Sequence, residues 1–423
     1  MTPDRTTPPP ISSLSPFPIR KPEQQTLDNG LPLNLLIDTS QPIVRLDIVV
    51  KMGMYQQTKP LQAQFTTLML REGCLGMNAD QIADRLEEYG ARLELQTGIN
   101  HTRITLFSLH RHFIHTLPII YQLLNHSVFP EERLQTVLQT QLNQFLINSE
   151  KVSFVAQQHF RAATLSESHP LGHLLETSDY EHLKAENLRE FYTRYTDNGV
   201  AFYLSGHVDQ GIISLLETTF NSDVYNLSDK QLANTMPPYP TVKRIHRPKP
   251  HVLQSAICLG WHTLTPQHQD VHKLRFLFTL LGGYFGSRLM RNIREEKGYT
   301  YGITINVIDL PETSLATITS ETDTVHVESL IQEVYKEIKQ LREELVSEAE
   351  IEVVRNYLMS ELARTYEGTL DVVNTWIHYD ILNLPSEYMK SYMQVIADIT
   401  PAQIQEISSK YLPCEPLYEV IIG

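Results

Sequence analysis

Cysteine, basic charge and long apolar runs are all scarce in this sequence of 423 residues. Its three cysteines, Cys74, Cys258 and Cys414, are widely separated and form no CxxC pair. This pattern argues against a disulfide framework and against a zinc site built from thiolates. Without a run of about 18 apolar residues, the chain predicts no membrane-spanning helix. It also has no GxSxG, Walker or Rossmann motif, so serine-hydrolase, phosphate-loop and dinucleotide chemistry have no support.

The net charge limits the partners that we expect. The chain has 35 basic and 49 acidic residues, a net charge of −14. This balance disfavours nucleic acid and anionic membranes, whereas a neutral or basic peptide is compatible with it. Residues 1–23 lack the apolar core of a secretory signal, so we predict a cytoplasmic protein. A sequence from which an export signal had been trimmed would look the same.

The two halves of the sequence follow the same order of elements. Strand-like segments at 42–52 and 252–261 each precede an apolar helix, at 61–70 and 272–281. A short helix ending in glycine follows in each half, at 82–91 and 290–299, and Gly90 aligns with Gly298. Strand-like residues 92–107 and 300–318 come next, and then two long helical regions broken at Pro130 and near Ser347. A duplicated α+β unit of roughly 200 residues accounts for this order.

The duplication predicts two tandem homologous domains, each with a mostly antiparallel sheet and helices packed on one face, forming a clamshell. Proline-rich residues 1–20 are predicted to be a disordered or extended arm. The first domain is predicted at 21–225 and the second at 249–423. Between them, residues 226–248 have several prolines and little hydrophobic period, which is typical of a linker.

Residues 281–303 are the most informative stretch of the second half. Gly282, Gly283 and Gly286 predict a glycine-rich turn before an arginine-bearing amphipathic helix that Gly298 ends. Arg294, at the helix end, lies seven residues before Tyr301 on the next strand. A guanidinium and a phenol on rigid elements can hold a peptide carbonyl or an oxyanion. The alternative from composition alone is a surface arginine and a half-buried strand tyrosine.

This stretch resembles the second half of the pitrilysin/insulinase-type (inverzincin) metallopeptidases, a family that includes the mitochondrial processing peptidase subunits. Further marks of the resemblance are the hairpin-like LDNGLPLNLLI at 27–37, HPLG at 169–172 and the helix-then-strand segment at 191–209. The resemblance thus runs from about residue 27 to the C-terminus. It implies that Arg294 and Tyr301 help to bind the substrate opposite a zinc-bearing domain.

The same resemblance implies a zinc site that this chain cannot build. Active members carry H-x-x-E-H on the first helix, where two histidines bind zinc and the glutamate activates a water molecule. Here Gln64 and Leu68 replace the histidines and Thr67 replaces the glutamate. No acidic residue lies between Glu132 and Glu150, where the last ligand is expected, and Gln141 is the closest match. We therefore predict no metal and no catalytic residue in this chain.

Three histidine groups were considered as replacement ligands. They are His110, His112 and His115; His169 and His173; and His268 and His272. The first group has no nearby carboxylate to serve as a base, the second straddles a loop, and the third coincides with a predicted helix start. Surface or structural roles are therefore favoured over a metal site for all three groups.

Three functions follow from these observations. The favoured one is the non-catalytic subunit of a heterodimeric zinc metallopeptidase, in which Arg294 and Tyr301 bind a peptide in a closed chamber and a homologous partner supplies the zinc. In it, the strand at 92–98 can still hold a peptide by strand addition. The alternative is an inactive scaffold or peptide-binding homodimer without a proteolytic role. The third is an independent peptidase with unconventional ligands.

Overall fold

A computed structural model describes residue 6 and residues 17–196, 199–221, 242–414 and 416–423. Most of the arm predicted at 1–20 lies outside these residues. The strands are β1 Glu23–Thr26, β2 Pro32–Ile37, β3 Ile43–Val50, β4 Gly73–Cys74, β5 Met77–Asn78, β6 Arg92–Thr97, β7 Thr102–Leu109, β8 Val200–Gly206, β9 Arg244–Arg247, β10 Gln254–Thr263, β11 Thr300–Asp309, β12 Ser314–Asp323 and β13 Tyr418–Ile422.

The α-helices are α1 Gln62–Met69, α2 Ala79–Glu88, α3 Phe113–Asn125, α4 Glu131–Ser149, α5 Val152–Leu165, α6 Thr177–Glu181, α7 Ala185–Tyr192, α8 Gln210–Thr219, α9 Val271–Phe278, α10 Val327–Glu343, α11 Glu348–Thr365, α12 Thr369–Leu382, α13 Tyr388–Asp398 and α14 Pro401–Tyr411. Two segments, Thr279–Gly283 and Met290–Glu296, are π-helical. None of the helices in the described residues is long and apolar enough to cross a membrane.

Apart from the additional edge strand β1 in the first, the two large sheets have the same topology. The first has the order β1-β2-β8-β3-β7-β6 and the second, read in the same sense, β9-β13-β10-β12-β11. In each, one pair is parallel, β2 with β8 and β9 with β13, and the other pairs are antiparallel. The structure thus confirms the predicted duplicated α+β architecture, with mostly antiparallel sheets.

Residues at the helix ends explain where α2 and the matching helical segment of the second half begin and end. Asn78 caps α2 by accepting a hydrogen bond from the Gln81 amide at 2.9 Å, while its own amide donates to the Gln81 side chain at 3.0 Å. This reciprocal pair is a capping box, which fixes a helix start. At the other end Gly90 has φ +60°, and Gly298 has φ +66° at the matching point of the second half. Only glycine adopts this left-handed conformation without strain, so both helices stop where the sequence predicts.

The stretch predicted as a linker contains a strand. Residues 222–241 lie outside the described residues, but residues 244–247 form β9, which pairs in parallel with β13. This strand occupies the position in the second sheet that β2 occupies in the first. The sequence RIHR has one apolar residue and three basic or polar ones, so its pattern carries no strand signal. The free edge of β13 imposes the extended conformation instead.

The glycine-rich turn also differs from the prediction. Gly282 and Gly283 lie in the π-helical segment that extends α9, and only Gly286 lies in the turn that follows. A side chain at Gly282 would come within 3.1 Å of Ile305 on β11. The close approach of this segment to the strand therefore favours glycine at that position, where a side chain would need its neighbours to shift by a few tenths of an ångström.

Each sheet has one face covered by helices of its own half. In the first half, alternate residues of β3 such as Leu46 and Ile48 pack into a core with α1, α3 and α7. In the second, Ile257 and Leu259 of β10 pack with α9, α10 and α14. Within each half, the helices therefore cover one face of the sheet, as predicted.

The other face of each sheet receives a helix from the opposite half. Helix α5, in the first half of the sequence, packs Ala156 and Phe160 against Cys258 and Val420 of the second sheet. Helix α12, in the second half, packs Val373 and other residues against β2, β3 and β8 of the first sheet. The two halves therefore exchange helices, a feature that no sequence pattern predicted.

A buried charged network fixes α12 on the first sheet. Asp47 of β3 is 0% exposed and accepts hydrogen bonds from the Nε atoms of Arg45 and Arg103, at 2.9 and 2.8 Å, and from the Thr105 hydroxyl at 2.6 Å. Both guanidinium groups also donate to the Asn374 side chain of α12 at 2.6 Å. The Asp47 carboxylate thus positions two arginines so that they bind the helix of the opposite half.

A second contact between the halves involves His169, from the HPLG segment. Its Nδ1 accepts the Leu171 amide at 3.1 Å, so the proton lies on Nε2, which faces the Glu312 carboxylate at 3.2 Å. Tyr55 also donates to Glu312. Burial tends to raise the pKa of Glu312, but the hydrogen bonds from His169 and Tyr55 leave it below its ordinary value. His169 therefore has the structural role that its loop position favoured.

Candidate functional site

Helix α1 carries the positions that correspond to the zinc motif. Gln64 and Leu68 lie four residues apart and are half-buried, whereas Thr67 is buried. The Thr67 hydroxyl donates to the Ala63 carbonyl at 3.0 Å and lies 3.3 Å from the Tyr195 hydroxyl. Burial raises the pKa of Tyr195 to about 12, so its phenol stays neutral. The hydroxyl at the general-base position is therefore engaged in structural hydrogen bonds.

The chemistry of these side chains does not fit zinc. Gln64 offers an amide, Leu68 an alkyl group, and Gln141, half-buried on α4, another amide. Zinc prefers imidazole, thiolate and carboxylate donors. In the part of the chain that the structure describes, no three His, Cys, Asp or Glu side chains lie close enough to share a metal ion.

The histidines of the first two groups contact carboxylates or an aromatic ring. His110 pairs with Asp209 at 2.9 Å, and the rings of His112 and His115 lie against Tyr89 at 5.4 and 4.9 Å. His173 pairs with Asp179 at 3.0 Å.

Arg294 lies in the π-helical segment Met290–Glu296, with its guanidinium carbon 4.5 Å from the centre of the exposed Phe285 ring. Its neighbour Arg288 instead forms a bidentate pair with Glu350, at 2.8 and 2.9 Å. Among the described residues no carboxylate lies within ion-pair distance of Arg294. Its charge is therefore available to a ligand. Helices of this π type are rare and are frequent at functional sites.

Tyr301 lies at the start of β11, and 89% of its surface is exposed. The half-buried tyrosine of the alternative interpretation is therefore wrong. Strand β11 is at the edge of the second sheet, as β6 is at the edge of the first, and no strand in the described residues pairs with either outer edge. Tyr301 and Arg294 thus flank the start of an open strand.

A cavity of about 860 Å³ lies in the second half, between α9, β11, α12 and α13. Helix α9 and strand β11 match α1 and β6 in the duplicated topology, so this cavity lies beside the second-half counterpart of the helix with the degenerate zinc motif. His272, Tyr388 and Tyr392 line one side, with ring centres 4.4 and 5.3 Å from His272. Sequence analysis predicted only a helix start at His272, because its ring partners come from a helix over 110 residues later.

His272 supplies a test of this cavity by pH. The residue is 9% exposed, and burial, followed by the charge of Arg275, lowers its pKa from 6.5 to about 4. Between these values the unfolded chain binds the extra proton and the folded chain does not, so stability falls as the pH falls from 6.5 to 4. The expected loss is up to about 3 kcal/mol. His272→Phe, which keeps a ring against Tyr388 and Tyr392, should remove it.

The measurement is the free energy of unfolding in urea at several pH values between 7 and 4. The control is His182→Phe, which changes an exposed histidine and should leave the slope as it is. An unchanged slope in the His272→Phe variant would show that His272 is not buried in its neutral form.

Comparisons with known proteins agree with this fold. The family model described as peptidase M16 inactive domain matches residues 182–358. A relative named uncharacterized zinc protease YmxG, from Bacillus subtilis strain 168, is 22% identical over 352 residues, which cover 82% of this chain and 85% of the relative. A second relative, from Helicobacter pylori strain 26695, is named non-peptidase homolog YmxG. It is 20% identical over 374 residues, which cover 85% of this chain and 84% of the relative.

Solved structures show the same architecture. The peptidase M16 inactive domain from Pseudomonas fluorescens superposes with a TM-score of 0.86 at 19% identity, covering 95% of this chain and 98% of that one. A structure described as a protease from Helicobacter pylori gives a TM-score of 0.85 at 16% identity, with 96% and 100% covered.

The duplicated sheets and the altered helix α1 define a peptidase-like protein built from two homologous halves. The chain resembles the pitrilysin/insulinase-type (M16) metallopeptidases, and residues 182–358 match the inactive-domain model of that family. The predicted resemblance to this family is therefore confirmed, while the roles of Arg294 and Tyr301 stay predictions.

Proposed function

We propose that this chain is the non-catalytic subunit of a heterodimeric zinc metallopeptidase. In this proposal a homologous partner with an intact H-x-x-E-H motif supplies the zinc, and this chain supplies Arg294 and Tyr301 to the peptide. The observation that carries the proposal is the contrast between the two halves. The first half has no zinc donors on α1. The second keeps an exposed phenol and an arginine that, among the described residues, has no carboxylate partner and lies beside a strand edge without a partner strand.

The chemistry of the two side chains supports a role in holding a peptide. A guanidinium donates up to five hydrogen bonds in a fixed plane, which suits carbonyl and carboxylate oxygens. Packing against Phe285 restricts the orientation of Arg294, so less conformational freedom is lost on binding. The Tyr301 hydroxyl donates one hydrogen bond, and its exposure leaves it able to reach a group on a partner. Zinc is expected only in that partner.

The test is peptide cleavage by this chain mixed with a homologous zinc-bearing chain from the same organism. We expect Arg294→Ala to lower kcat/KM by about tenfold to a hundredfold, since a charge-assisted hydrogen bond is lost at the reacting peptide. Tyr301→Phe should lower it by roughly tenfold, the effect of one hydrogen bond. Arg291→Ala and Tyr299→Phe are matched controls, because Arg291 is exposed on the same segment and Tyr299 stacks on His326.

Two outcomes would contradict the proposal. One is cleavage by the partner at the same rate with and without this chain. The other is equal activity of the wild type and the two site variants in the mixture. A chain that forms homodimers and does not change cleavage would instead favour the inactive scaffold or peptide-binding protein.

A further inference from the structure

Strand β11 has a cavity on each of its two faces. The cavity of about 860 Å³ opens beside Ile305 and Val307, whose side chains face the helices of the second half. A second cavity, of about 380 Å³, opens beside Tyr301 and Thr304, on the face that α5 covers. The outer edge of β11 between these cavities has no strand partner among the described residues.

The larger cavity suits a bulky apolar side chain. Its walls include the aromatic rings of Phe278, Tyr388 and Tyr392 and the side chains of Met389 and Leu384. Four charged side chains also line it: Arg275 pairs with Asp309, Arg364 pairs with Glu361, and Asp371 is exposed. The buried His272 is neutral at pH 7. Aromatic surfaces of this kind bind another ring or a long aliphatic side chain with a large area of contact.

The smaller cavity has a different character. Small side chains line its floor, and its polar rim includes Gln157 and Gln254. Glu321 is its one charged lining residue among those described, and its side chain is exposed. A short polar or basic side chain therefore fits this cavity better than a bulky apolar one, in line with the acidic net charge.

We propose that an extended peptide adds to the outer edge of β11 and places a bulky apolar side chain in the larger cavity and a polar or basic one in the smaller cavity. This inference extends the proposed function by naming where this chain holds a peptide. It does not require the zinc-bearing partner.

The geometry of a strand fixes the pattern that such a peptide must have. Successive side chains of a strand point to opposite faces of the sheet. The two cavities lie on opposite faces, so the two anchoring side chains must be separated by an odd number of positions. Backbone hydrogen bonds to the edge supply sequence-independent affinity, and the two cavities supply specificity. Strand β11 has 10 residues, so a peptide of similar length can span both cavities.

The test uses two fluorescein-labelled peptides of about twelve residues with the same composition, in a host of threonine and serine. In one, a phenylalanine and a lysine are three positions apart and point to opposite faces; in the other, they are four apart and share a face. Binding to the full chain, without a partner or zinc, is measured by fluorescence anisotropy. We expect the peptide with odd spacing to bind about tenfold more tightly, as for the loss of one buried anchor. Equal affinities would overturn the proposal.

Variants assign the effect to each cavity. Thr375→Trp places a ring in the larger cavity and should weaken the odd-spaced peptide by about tenfold, whereas Thr136→Trp, exposed on α4, should not. Glu321→Gln should weaken it by roughly twofold, as for an exposed charge pair, and Glu190→Gln is the control. Thermal melting confirms that each variant is folded.

Unchanged affinity in a folded Thr375→Trp variant would also overturn the proposal. Because this assay contains no partner, its failure leaves the cleavage test intact. Loss of the cleavage effect likewise leaves the binding result as it stands.

Discussion

Replacing Asp47 by alanine should destabilise the protein by about 3–5 kcal/mol, as expected when one member of a buried ionic network is removed. The carboxylate is the acceptor that Arg45 and Arg103 share, and both arginines lie largely within the protein. Without it, two guanidinium charges remain buried between the first sheet and α12. Urea unfolding at pH 7 gives the change in free energy.

Two further variants separate charge from packing. Asp47→Asn keeps the size and one acceptor oxygen but removes the charge, so it should be destabilising by a smaller amount. Asp84→Ala, on the exposed face of α2, should stay within about 0.5 kcal/mol of the wild type. A loss at Asp47→Ala no larger than this control would show that the arginines find other partners and that Asp47 does not position α12.

The Phe160→Ala variant should be destabilised by about 3–5 kcal/mol, the usual effect of removing a buried aromatic ring. Phe160 is 2% exposed, and its ring lies directly over Gly260 of the second sheet. A side chain added at Gly260 would come within 2.5 Å of that ring and 2.3 Å of the Ala316 carbonyl. The helix thus sits too close to the strand for any residue but glycine.

Phe154→Ala is the matched control on the same helix. Phe154 is only half-buried, and its ring contacts Phe145 of α4 at 6.1 Å, within the first half. A smaller loss of stability is therefore expected, measured in the same urea titration. If the two variants were equally destabilised, the contact of α5 with the second sheet would not contribute more than its contact with its own half.

The sequence predicted the two sheets because repeated patterns carry that information. Alternating or fully apolar segments predicted β3 and β10. The matching glycines, Gly90 and Gly298, predicted where the preceding helical segments end. The loss of the zinc motif at Gln64, Thr67 and Leu68 could also be predicted without a structure, since metal binding and catalysis depend on residue type.

What the sequence could not predict depends on contacts between distant segments. An amphipathic helix such as α12 shows which of its faces is apolar, but not which sheet that face covers. Arg45 and Asp47, inside the otherwise apolar strand β3, were the one sequence signal of a buried polar contact between the first sheet and α12. They could not predict that Asn374 would be the partner. His272 likewise received no role, because its environment comes from residues of α13.

Because the two halves exchange helices, neither half is a complete folding unit. If the chain were divided between its two sequence halves, the first fragment would keep α5 without the sheet beneath it and would lack α12. The second fragment would have the complementary defect. Each piece would therefore expose a sheet face that is buried in the intact chain, and the smallest autonomous unit of this protein is the pair of halves rather than either one.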